Sequence, residues 1–71
     1  MTPPIQKEIL QRLASLCEMS PDIRFGQLLA HLGFLAEDAG ERPLAEIEDE
    51  QLLRIIERHH AELSRRSSSV A

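Results

Sequence analysis

The chain has 71 residues, a formal charge of −4 and 28% charged residues, which bounds it to one small domain with a limited core. The single cysteine, Cys17, excludes an internal disulfide. The acidic balance argues against general nucleic-acid binding, which rests on phosphate neutralisation by Lys and Arg. With no charged start leading into an apolar run, and no stretch as long as a membrane span, a cytoplasmic protein is expected, with no membrane association.

Thr2-Pro3-Pro4 reads as a helix start, with threonine as cap and proline in the first turn. From Ile5 onward, Ile9, Leu10, Leu13, Leu16 and Cys17 recur at helical spacing, with Lys7, Glu8, Gln11, Arg12, Ser15 and Glu18 opposite. The first predicted helix is therefore amphipathic and spans about 3–19. The short connection that follows predicts antiparallel packing on the second helix.

The second helix is predicted over about 21–39 and is the stretch around which the chain is organised by composition. Ser20 can cap it, Pro21 suits its first position, Asp22 complements the dipole, and Gly40 can end it in the left-handed conformation. At about 100° per residue, Phe25, Leu28, Leu29, Leu32, Leu35, Ala36 and Ala39 cover one broad arc. Gly26, Ala30 and Gly33 form an adjacent stripe of small residues, with Ile23 and Phe34 just beyond it. Only a narrow sector with Arg24, Gln27, His31 and Asp38 is polar. A helix that is apolar nearly all round is a buried one, so this helix should lie between two others or meet a second copy. Two interior glycines each cost about 1 kcal/mol relative to alanine, and a smooth stripe lets another backbone come close. Packing within the chain is the simpler use of that stripe; contact between chains is the other.

Gly40-Glu41-Arg42-Pro43 breaks the pattern, and Leu44 and Ile47 anchor an otherwise acidic loop that has room for a short helical turn near 43–47. The third helix is predicted over about 49–66, with Asp49 the better cap; with Glu48 as cap instead, Ile47 and Leu52 would form a hydrophobic staple. Leu52, Leu53, Ile55, Ile56 and Leu63 make its buried stripe, with His59 and His60 inside the stripe's span. Residues 37–50 hold seven acids and one arginine, whereas 51–71 hold four arginines and two glutamates, a gradient that complements a helix dipole. Residues 67–71 read as a disordered tail, leaving 1–66 as a single helical domain.

Chemistry has few candidates. Arg24, Gln27 and His31 line up on the polar edge of the second helix, where a carboxylate could meet all three, although any soluble helix needs a polar edge. Glu57 and His60 have the E-x-x-H spacing of di-metal bundles, but those sites need a second such motif, which only a dimer could supply. Cys17, His31, His59 and His60 are too scattered for a zinc signature. Phosphate loops and nucleophile elbows are absent, so no catalytic, cofactor or metal-binding residue is assigned and no enzyme is expected. Size and charge suggest an acyl carrier protein, but its Asp-Ser-Leu motif is missing. As a DNA recognition helix, the second helix offers only Arg24 and Gln27 near its start.

Arg24-Phe25-Gly26-Gln27-Leu28-Leu29, followed by Ile47-Glu48-Asp49-Glu50-Gln51-Leu52-Leu53, resembles segments of a set of short, functionally uncharacterised bacterial helical proteins. The resemblance implies a bacterial origin and a unit formed by Arg24, Gly26, Gln27, Glu48 and Asp49, with Arg24 bound to the acids at the third helix's start; it implies no activity. The expectation is an all-α three-helix bundle acting as a non-enzymatic protein-interaction module, self-associating as a homo-oligomer through Ile23, Gly26, Ala30, Gly33 and Phe34. A DNA-binding regulator and a metal-binding helical dimer are the competing readings.

Overall fold

The computed structural model describes residues 1–69, with side chains described through Arg66. It is a three-helix bundle: α1 (Pro4–Met19), α2 (Phe25–Asp38) and α3 (Asp49–Ser69), with no strand among the described residues. No helix of the described residues is long and apolar enough to cross a membrane.

The starts of α1 and α2 are set differently from expectation, and α3 starts at Asp49 as predicted. In α1 the Pro3 carbonyl takes the first N–H groups, from Gln6 at 3.0 Å and Lys7 at 3.2 Å, so Pro3 is the cap and Thr2 lies outside the helix. Ser20 closes α1 instead of opening α2. Its N–H bonds to the Leu16 carbonyl at 3.1 Å, and its own carbonyl accepts from Ile23 at 3.2 Å. Ser20-Pro21-Asp22-Ile23 is thus a turn, a use for which Ser and Pro suit its first two positions as well as they suit a helix cap. Arg24 is extended at ψ 147°, and α2 begins at Phe25, four residues later than predicted.

α2 ends as its sequence says. Gly40 sits at φ +82°, with its N–H on the Glu37 carbonyl at 3.0 Å and the Glu41 N–H on the Ala36 carbonyl at 2.9 Å. These crossed bonds form a Schellman motif that needs the left-handed residue glycine adopts freely. The loop that follows holds one hydrogen-bonded turn, Glu46 N–H to the Pro43 carbonyl at 2.8 Å, and no helix. Glu48, not Asp49, caps α3. Its carbonyl accepts from Leu52 at 2.9 Å and its N–H donates to Gln51 Oε1 at 3.4 Å. Ile47 and Leu52 both pack against the core, as a staple would place them. At its far end α3 continues through Ser69, so 67–69 extend the helix where a tail was predicted; residues 70 and 71 lie outside the described residues.

α3, not α2, is the middle of the bundle. α1 runs parallel to it, joined by Gln6–Asp49 at 3.2 Å, Arg12–Glu57 at 3.5 Å and Ser15–His60 at 2.8 Å, which climb both helices together. α2 runs antiparallel to α3: Leu35 and Asp38 share a groove with Ile55 and Arg58, and Ile23 and Gln27 share one with Leu63 and Arg66. The first helix therefore packs chiefly on the third, not on the second as its short connection suggested. Ile9, Leu16, Leu28, Leu32, Ala36, Ile55 and Ile56 form the core. Leu16, Leu32 and Ile56, one from each helix, are enclosed at 0%, 1% and 0% exposure.

Candidate interaction face and histidine groove

α2 carries two rows of residues at four-residue spacing. Leu28, Leu32 and Ala36 are buried against α3. Gly26, Ala30 and Phe34 lie on the opposite side, since 100° per residue separates the rows by about half a turn. All three are exposed, Phe34 at 70%, with half-buried Gly33 on the flank. Ile23, in the turn before α2, and Phe25, its first residue, are exposed at 49% and 54%.

The glycines make no close approach inside the chain. A Cβ placed on Gly26 or Gly33 would meet nothing within 4 Å. Packing of the stripe within the chain is thereby overturned: α2 buries one side only, and its small-residue row faces solvent. Gly33→Ala should consequently raise the unfolding free energy by up to about 1 kcal/mol, the helix-propensity difference, as read by thermal melting. A loss of stability would mean that Gly33 is packed against.

The polar edge is put to more than one use. Gln27 Oε1 accepts the Arg24 N–H at 3.0 Å, satisfying one of the donors left open at the start of α2. The reciprocal bond of a capping box is missing because a guanidinium carries no acceptor. Arg24 makes no ion pair with the acids of 46–50 among the described residues. Antiparallel packing puts the start of α2 beside the end of α3, so Arg24, Gly26 and Gln27 stand at one end of this helix pair and Glu48 and Asp49 at the other. The five do not form a unit.

His31, from the same edge, meets His59 of α3 with ring centroids 4.8 Å apart and planes inclined by 59°. The pair lies in a surface groove of about 430 Å³ lined also by Ile23, Gln27, Leu28, Leu63 and Arg66. His59 extends through to a second groove of about 340 Å³ that holds Asp38 and Glu62. Partial burial of the His59 ring, then the nearby His31 and Arg66, hold its pKa below the ordinary 6.5, while Glu62 opposes them. The fold favours neutral His59, so the unfolded chain takes up this proton more readily. Its contribution is present above about pH 6.5 and is lost as pH falls through the depressed folded value. Melting temperatures between about pH 7.5 and 5.5 should fall more for the wild type than for His59→Gln. Equal slopes would remove His59 as the cause.

The other suggested ligands have different work. His60 shares its hydrogen bond with Ser15 Oγ, Glu57 pairs with Arg12, and Cys17 is a half-buried free thiol packed against the core. Among the described residues no three His, Cys, Asp or Glu side chains converge as a metal-binding group. The E-x-x-H pair is occupied on the α1–α3 seam. The His31–His59 contact is not legible in the sequence, because only antiparallel docking of α2 on α3 brings the two rings together.

No family model matches the chain, and neither a curated protein nor a solved structure matches it.

Proposed function

We propose that the chain is a non-enzymatic protein-interaction module that self-associates through the outer face of α2. The observation that supports this is the exposed Gly26–Ala30–Phe34 row, which is both knob and hole. Phe34 and Gly26 lie four residues either side of Ala30, so a two-fold axis passing by Ala30 sets Phe34 of each copy over the partner's Gly26. Such an isologous contact uses one patch twice, and rows at four-residue spacing are the ridges of the commonest helix-packing class. The same pairing brings Arg24, which has no ion pair among the described residues, to the level of the partner's Glu37. Burial of Phe34 and Ile23 supplies the apolar gain.

Sedimentation equilibrium over a wide concentration range tests the reading, with a reversible dimer as the expected result. A strict monomer at every concentration would overturn it and turn attention to a partner of another kind. The DNA-binding alternative predicts a salt-dependent gel shift. Against it, the exposed start of α2 presents Phe25 and Gly26, and Gln27 already uses its carbonyl oxygen to cap the helix.

A further inference from the structure

Of the three histidines, one is tied into the fold and two are not. His60 shares a hydrogen bond with Ser15 on the α1–α3 seam. His31 and His59 touch only through their ring contact and electrostatics, and no protein hydrogen bond engages either ring among the described residues. His31 is exposed and His59 half-buried, and both line the same open groove. The spacing has a chemical meaning. With N–metal bonds of about 2.0–2.1 Å at a near-tetrahedral angle, two imidazoles on one ion have centroids about 5 Å apart. The observed 4.8 Å fits that separation, and the 59° inclination distinguishes the pair from flat stacking.

We infer that His31 and His59 together form a two-histidine site for a borderline divalent transition-metal ion, with water completing the coordination. Imidazole nitrogen suits Cu(II), Ni(II) and Zn(II), and hard ions such as Mg(II) and Ca(II), which take oxygen ligands, are not held. Each ligand must be neutral to bind. The two donors come from different helices, so a bound ion cross-links α2 to α3 and favours the folded chain over the unfolded one. The site does not depend on the outer face of α2, which His31 only flanks, and it holds for a monomer as for a dimer.

The test is Zn(II) titrated by calorimetry into the full, tag-free chain, with thermal melting and histidine ring NMR signals followed in parallel. One ion per chain is expected, together with a raised melting temperature and shifts at His31 and His59 but not at His60. Removing one of two ligands turns a chelate into a single contact, so His31→Ala should weaken binding by on the order of a hundredfold. His31 is exposed, so this variant keeps its core, and circular dichroism verifies that it folds. His59→Ala should do the same, and His60→Gln and Cys17→Ser should leave the affinity unchanged. Binding that survives His31→Ala, that needs His60 or Cys17, or that is absent from the wild type would overturn the site.

Discussion

Ile56→Ala is expected to lower the unfolding free energy by about 2–5 kcal/mol, the range for truncating an enclosed isoleucine. Ile56 has no exposed surface and stands in α3, the helix that both others pack against. Its loss leaves a cavity bordered by two interfaces, and neither α1 nor α2 can collapse into it without leaving the other. A domain of this length has only about 4–11 kcal/mol to lose. For a domain this small each kcal/mol corresponds to about 4–8 °C, so the midpoint should fall by about 10 °C or more. The control is Leu10→Ala: Leu10 is equally apolar in sequence but 60% exposed on α1, and it should cost no more than about 0.5 kcal/mol. Both melts are run at one protein concentration, because association shifts apparent stability by mass action. Equal costs for the two substitutions would mean that α3 is not the middle of the bundle.

Phe34→Glu should abolish self-association while leaving the folded protomer intact. In the proposed contact Phe34 is buried twice, once from each copy, at the centre of a small interface where aromatic anchors carry most of the energy. Glutamate there would have to be desolvated without a partner, and with two such losses per dimer the dissociation constant should rise more than a hundredfold, on the order of 3 kcal/mol or above. In the protomer, Phe34 is 70% exposed, so the thermal midpoint in the monomeric regime should barely move. Gly26→Leu is the reciprocal experiment: it fills the hole that receives Phe34, and a Cβ there meets nothing in its own chain. Sedimentation equilibrium reads both. A Phe34→Glu protein that still dimerises with unchanged affinity would exclude this face as the contact.

Local chemistry made the helices legible from sequence, but competing local signals blurred where they start. Gly40 ends α2 as predicted because few other residues tolerate a positive φ. Ser20-Pro21-Asp22 is both a helix-start and a turn signal, and the turn prevails because Gln27 supplies a cap for a helix beginning at Phe25. A second local signal marks two of the helix starts. Ile23 to Leu29 and Ile47 to Leu53 repeat one pattern, isoleucine, three residues, then Gln-Leu-Leu. In both, the glutamine accepts the N–H of the capping residue, Arg24 in one case and Glu48 in the other. The two segments singled out by resemblance are two copies of one helix-start device, at opposite ends of the antiparallel pair.

The sequence by itself determined three helices, their amphipathic stripes, the stop at Gly40 and the surplus of apolar and small residues on α2. Periodicity reports how much apolar surface a helix has and on which side, and these features are local. It does not report which helix covers that surface. Only the tertiary structure decided that α3 takes the centre, that α2 buries Leu28, Leu32 and Ala36 while Gly26, Ala30 and Phe34 face out, and that His31 meets His59. Each of these depends on the antiparallel docking of α2 against α3, a choice made by the combined packing of both helices rather than by any residue within one.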